Sequence, residues 1–138
     1  MDHTLGIVKP NSVASGHTGK ILSLVEGVGF SLEAIRLVQL SQTDAETFYA
    51  VHRERPFYPS LVNFMTSGPV VPMALKGENA VQKFREVIGD TDPNQAEEGT
   101  VRQLYGESKE RNTIHGSDSD ENARIEIEFF FPEFFGST

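Results

Sequence analysis

The residues best suited to chemistry in this chain gather around one histidine. In Asn112-Thr113-Ile114-His115-Gly116-Ser117-Asp118-Ser119, a short apolar run delivers an imidazole. Glycine follows, allowing close approach of the backbone to a ligand. Ser, Asp and Ser then fall where a helix is due to begin, and the free backbone N–H groups of a helix start favour anions. Locally, the same pattern also describes a capped helix with an incidental histidine. Glu126 tips the balance. At roughly 100° per residue, Phe129, Glu126, Phe130, Ala123, Ile127 and Phe131 share one arc of the final helix, so the carboxylate lies inside an apolar face. A carboxylate in that position is costly unless it is paired or hydrogen-bonded. An imidazole N–H is a suitable partner, and such a bond fixes the tautomer and frees the other ring nitrogen to attack. The competing possibility is that Glu126 reaches solvent or caps a backbone group.

These side chains need a scaffold. Thr4–Val8 reads as a short buried strand stopped by Lys9-Pro10. Ile21, Leu24, Val25 and Val28 follow the i, i+3, i+4, i+7 spacing of an amphipathic helix closed by Gly27 and Gly29. The broken alternation from Phe30 to Leu40 predicts one long strand. Ser41-Gln42-Thr43-Asp44 opens a helix carrying Ala45, Phe48, Tyr49 and His52 on one face, and Arg55-Pro56-Phe57 breaks it. Leu61, Phe64 and Met65 predict a short helix, Pro69–Leu75 a strand, and Glu78–Ile88 a helix ending at Gly89. Residues 90–112 read as a long loop with one short turn, and a loop of that length is usually functional. A strand over Asn112–His115 and a helix over Asp120–Phe131 complete the order. The split βαβ arrangement predicts an α+β, ferredoxin-like fold: a four-stranded antiparallel sheet with helices packed on one face.

Composition narrows the class. A length of 138 residues fits one domain, residues 1–138. The absence of cysteine excludes disulfides and thiolate metal sites. The start, Met1-Asp2-His3-Thr4, lacks the basic and long apolar regions of a secretory signal, and no run approaches the ~18 apolar residues of a membrane span. No membrane partner and a cytoplasmic location are therefore expected. A net charge of −8 counts against a nucleic-acid partner, which usually needs a basic face. Gly16-His17-Thr18-Gly19-Lys20 is not a P-loop, because Ala14 and Ile21 occupy positions that need glycine and Ser/Thr. His3, His17, His52 and His115 lie too far apart for a recognisable zinc motif.

The stretch Asn112–Ser119 resembles the active-site signature of nucleoside diphosphate kinases, and the resemblance runs through nearly the whole chain. Thr4–Pro10 is similar to the family's first strand with its Lys-Pro ending. The run from Tyr49 to Phe57 resembles the nucleotide-binding helix pair, and Phe64–Val71 the entry to the third strand. Arg85, Gly89, Thr91, Pro93, Gly99, Thr100 and Arg102 fall in family order and spacing. The resemblance implies a ping-pong transfer of the terminal phosphate of a nucleoside triphosphate to a nucleoside diphosphate through a phosphohistidine on His115. Glu126 would orient that histidine, and Ser117 and Tyr49 would lie close to it. Lys9 would contact the sugar 3′-hydroxyl and the moving phosphate, and Asn112 the sugar hydroxyls. His52, Arg85, Thr91 and Arg102 would grip phosphates, and Phe57 would stack on any base. Mg²⁺ would be held mainly by nucleotide phosphates and water, with Asp118 a candidate to help. The resemblance also implies a homo-oligomer of dimers, a hexamer being favoured over a tetramer, with the 90–110 loop among the contacts.

Three positions depart from the family pattern. Lys109 stands where an apolar side chain usually faces the base, and its methylene stem can take that place. Glu98 replaces a common proline, which touches assembly. Asn11 replaces a frequent aspartate, a change expected to be tolerated. Two rival readings remain. One is a regulatory or nucleic-acid-binding module on the same sheet, for which strand aromatics and a basic surface are missing. The other is a phosphohistidine carrier serving another enzyme.

Overall fold

The computed structural model describes residues 2–136. The chain opens with strand β1 (His3–Val8), helix α1 (Pro10–Ala14), helix α2 (Thr18–Gly27) and strand β2 (Ser31–Ile35). Helix α3 (Gln42–Phe48), a 3₁₀ turn at Ala50–His52 and helix α4 (Tyr58–Met65) lead into strand β3 (Val71–Lys76). Helices α5 (Ala80–Ile88) and α6 (Val101–Tyr105) precede strand β4 (Ile114–Gly116) and helix α7 (Asp120–Phe130). The sheet is antiparallel in the order β2-β3-β1-β4, the ferredoxin-like arrangement expected from split βαβ units.

Alternation along the strands explains why both faces are covered. Leu5, Ile7 and Ala74 join a core with Ala45, Tyr49, Leu61, Met65, Ile127 and Phe130, under α3, α4 and α7. Val8, Val71, Met73 and Leu75 join the opposite core with Ile21, Val25, Phe84 and Ile88, under α2 and α5. One-sided covering therefore holds only for the two helices of the split βαβ units; α3, α4 and α7 form a second layer. The layer is required because both sides of β1 and β3 are apolar, and each fully buried aliphatic side chain contributes about 1.5–3 kcal/mol.

Other local expectations are corrected by backbone chemistry. Pro10 does not only stop β1; it occupies the first turn of α1, where its missing N–H is not needed. The expected long strand over residues 30–40 ends at Ile35. Its register shifts between Leu32 and Ala34, and Pro72 of β3 offers no N–H to continue the ladder. Only Arg36 N donating to Pro72 O (3.1 Å) and the Val38–Val70 bridge continue the pairing. The 90–112 loop contains α6, capped by the Thr100 hydroxyl. The last strand begins at Ile114 rather than Asn112, because Thr113 turns the chain with φ +81°. The phenylalanine-rich end packs back on its own chain: Phe130 is buried, and Phe129, Phe131, Phe134 and Phe135 lie against the same core. Among the described residues, no helix is long and apolar enough to cross a membrane.

Candidate active site

Strand β4 presents His115 through a short, tightly specified segment. Positive φ is rare for a β-branched residue and costs of order 1–3 kcal/mol. Hydrogen bonds compensate at Thr113: its hydroxyl donates to Tyr105 O (2.7 Å) and accepts from the Ser12 hydroxyl (2.9 Å). The turn lets Asn112 point one way and Ile114 enter the sheet. His115 pairs with Ile7 and shares its face, towards α3 and α7. Gly116 pairs with Gly6, and both face Phe84; a Cβ on Gly116 would lie 2.9 Å from Ile88 Cδ1 and 3.0 Å from Phe84 Cδ2. The glycine after the histidine is therefore required for packing against α5, although it also lines the pocket described below.

The expected imidazole–carboxylate pair is present. His115 Nε2 lies 2.8 Å from Glu126 Oε1, and the Ser117 hydroxyl donates to the same oxygen at 2.7 Å. Side-chain exposure is 17% for His115 and 18% for Glu126, so the pair is partly shielded while the ring keeps an open side. With Nε2 engaged by the carboxylate, Nδ1 is the nitrogen left with a lone pair. Ser119 caps α7 by accepting from Asn122 N at 3.1 Å, which fixes the helix that carries Glu126.

Aromatic rings lead away from the imidazole. Tyr49 lies 6.3 Å from His115 between centroids, His52 stacks on Tyr49 at 6.4 Å, and Phe57 tilts against His52 at 5.4 Å. Phe57 remains 46% exposed, a large flat face open to solvent. Burial, with Glu126 nearby, pushes the Tyr49 phenol well above its ordinary range, so it stays neutral, and its hydroxyl has no protein partner.

Charged side chains of both signs line a cavity nearby. A cavity of about 570 Å³ is bordered by Arg85, Asp90, Thr91, Arg102 and Gly116. Arg102 is held by Gly89 O (2.9 Å) and Ile114 O (2.8 Å). Burial, with Arg85 nearby, lowers it to about 10, which still leaves it charged at neutral pH. Lys9 Nζ donates to Asn112 Oδ1 at 2.8 Å, and Asn112 Nδ2 donates to Thr91 O at 3.1 Å, tying β1 to the loop. Burial draws Lys9 from the usual 10.5 to about 7; Arg102 pushes the same way and Glu110 opposes. Arg85 Nη1 reaches Asp118 O at 3.5 Å. A hydrogen bond from Asn122 holds the Asp118 carboxyl below the usual range, so it is ionised. Among the described residues, no three His, Cys, Asp or Glu side chains converge to hold a metal ion.

Sequence reasoning gave three side chains no part in the site. Phe48 packs edge-on to His115 at 5.5 Å, a contact that helical spacing alone does not reveal. Glu110 acts on Lys9 and accepts from Ser60 at 2.6 Å, across fifty positions of sequence. Asn11 donates to Glu107 Oε2 at 3.0 Å, which gives the departure from aspartate a reason: a second carboxylate would repel Glu107.

Comparison with known proteins agrees with this arrangement. The family model described as nucleoside diphosphate kinase matches residues 2–134. The chain is 55% identical over 133 residues to a nucleoside diphosphate kinase of Anaeromyxobacter sp. (strain K), covering 96% of this chain and 90% of that one. It is 54% identical over 131 residues to the Chlamydia muridarum enzyme of that name, covering 95% and 93%. The solved Aquifex aeolicus nucleoside diphosphate kinase superposes with a TM-score of 0.93 at 44% identity, covering 94% of each chain. That of Encephalitozoon cuniculi gives 0.94 at 34% identity, covering 100% of this chain and 95% of the other. The class is that of an α+β phosphotransferase. More narrowly, the chain belongs to the nucleoside diphosphate kinase family and is an enzyme of phosphate transfer between nucleotides.

Proposed function

We propose that the enzyme works by double displacement through a phosphohistidine on His115. The observation that carries this reading is the 2.8 Å bond from Nε2 to Glu126, which leaves Nδ1 as the free ring nitrogen; the next residue of β4, Gly116, lines the cavity that Arg85 and Arg102 also line. The Nδ1 lone pair attacks the terminal phosphorus of a nucleoside triphosphate; the N–P bond forms as the bridging P–O bond breaks, and the diphosphate leaves with the electron pair. The imidazole proton stays on Nε2, where Glu126 offsets the developing ring charge. A second diphosphate then attacks phosphorus through its terminal oxygen, and the N–P bond breaks. The transition state spreads charge over equatorial oxygens, so fixed cations supply most of the stabilisation. Arg85 and Arg102 suit that task as planar forks, with Thr91, His52 and Lys9 completing the grip. Ser117 assists by holding Glu126, and Tyr49 by enclosing the ring. Asn112, aligned by Lys9, binds sugar hydroxyls. The decisive experiment is incubation with ATP and Mg²⁺, isolation of the protein and addition of GDP: the label should appear on protein and then pass to GTP. Label that stays on protein in the presence of any diphosphate would favour the carrier reading instead.

A divalent ion fits this site with help from substrate, because among the described residues no three metal-binding side chains converge, and the ionised Asp118 carboxylate is a candidate to assist. Mg²⁺ bound mainly by phosphate oxygens and water would neutralise charge and fix the phosphate chain.

Phe57 supplies the base platform, with the Lys109 stem opposite. Phe57→Ala is expected to raise KM for purine and pyrimidine diphosphates alike, by the ~1–3 kcal/mol that a stacked base contributes in nucleic-acid binders. A loss confined to one base class in steady-state assays would contradict a general π-platform.

Lys9 makes nucleotide binding proton-linked. With its native value near 7, the unliganded enzyme holds it largely neutral at pH 8, whereas a phosphate oxygen beside Nζ favours the ammonium form. Binding at pH 8 should therefore take up a proton, and affinity should fall as pH rises past 7. The fold responds oppositely: between about 7 and 10.5 the unfolded chain keeps a proton that the native state releases, so this group's contribution to stability rises with pH. Calorimetric titration in two buffers of different ionisation enthalpy reads the uptake. Identical heats in both buffers, or uptake that survives Lys9→Met, would remove Lys9 from the phosphate site.

The whole chain, residues 1–138, is read as one such domain, cytoplasmic and assembled from dimers into a hexamer, with a tetramer as the alternative. Glu97 and the exposed Glu98 in the 90–110 loop would then repel across a symmetry axis. Sedimentation should show loosening towards dimers at low ionic strength, recovery with salt, and a tighter oligomer for Glu98→Pro. A monomer at every salt concentration would end the assembly reading, and a salt-independent oligomer its electrostatic part.

A further inference from the structure

Phe48 closes α3 and is only half buried, yet its ring touches four others. Centroid distances are 5.5 Å to His115, 4.9 Å to Tyr49, 5.3 Å to Phe129 and 5.3 Å to Phe130, with interplanar angles of 70°, 82°, 66° and 53°. Phe129 and Phe130 follow Glu126 at i+3 and i+4, so they rise from the side of α7 that carries the carboxylate. A ring in contact with His115 and with both of those residues lies beside the imidazole–carboxylate pair. Water reaching that pair would offer both groups other partners, whereas an apolar cover strengthens the bond between them.

We propose that Phe48 is a positioning residue, a cover over the His115–Glu126 hydrogen bond that keeps the proton on Nε2 and the ring oriented with Nδ1 free. The proposal rests on the reading of His115 as nucleophile. Phe48 does not touch the reacting atoms; it acts through the imidazole. A packing role alone would lower the melting temperature and leave the tautomer and the rate of the folded fraction unchanged.

The test compares wild type, Phe48→Ala, Phe48→Leu, Phe48→Tyr and Glu126→Gln. Nitrogen-15 spectra of the His115 ring, taken without nucleotide, report which nitrogen carries the proton. Steady-state assays separate kcat from KM. Phe48→Ala should give a mixed tautomer and about a tenfold lower kcat with KM unchanged, a loss on the scale of one weakened charge-assisted hydrogen bond. Phe48→Leu should fall between, and Phe48→Tyr, which keeps the ring, should restore both readouts. In Glu126→Gln, further removal of Phe48 should change little, because the bond it covers is already altered. A wild-type tautomer and wild-type kcat in Phe48→Ala, or in Phe48→Leu if the alanine variant does not fold, would overturn the proposal. A wild-type enzyme that forms no phosphohistidine would instead sink the nucleophile reading, while the ring spectra still decide whether Phe48 sets the tautomer.

Discussion

His115→Ala is expected to abolish the phosphoenzyme and to lower turnover by about four orders of magnitude or more, as loss of a covalent nucleophile does in other enzymes. The substitution should leave the fold standing. β4 is three residues long and pairs with β1 through backbone groups, so its register does not depend on the imidazole. Glu126 loses one partner but keeps the Ser117 hydroxyl at 2.7 Å, which limits the cost of the stranded carboxylate. Acid lability and base stability of the wild-type adduct, parallel double-reciprocal lines, and their loss in the variant are the measurements. Near-normal turnover in a folded His115→Ala protein would reject the mechanism.

Glu126→Gln should lower kcat by about a hundredfold, two steps of 1.36 kcal/mol, while the melting temperature moves little. In the native site a single oxygen, Oε1, accepts from both the Ser117 hydroxyl and His115. An amide can still accept through its oxygen, but it carries no charge to offset the ring during transfer. It can also turn its NH₂ towards His115, which would move the imidazole proton to Nδ1 and occupy the nucleophile. Ring nitrogen-15 spectra and kcat together separate the two losses. Unchanged kinetics would show that the carboxylate serves structure only.

The sequence by itself determined most of the elements and the need for the pair. A carboxylate inside the apolar arc of residues 120–131 needs a partner wherever the chain folds, because burying it alone is too costly, and the structure meets that need with His115 and Ser117. The apolar runs of β1 and β3 and the periodicity of α2 likewise required a sheet with packed helices, since these patterns depend only on local geometry. Other features depend on residues far apart in sequence, and only the tertiary structure decided them. The early end of β2 comes from a proline on the neighbouring strand. The start of β4 two residues later than expected comes from Thr113, whose unfavourable φ is held by the hydroxyl of Ser12 and the carbonyl of Tyr105. Helices on both faces follow from α3, α4 and α7 returning over the sheet, a choice that helical periodicity leaves open. The lowered value of Lys9 and the place of Phe48 over the histidine arise from burial and charge supplied by distant segments. A pattern along the chain states which side chains need partners; the partner's position in space depends on how the layers close around the sheet.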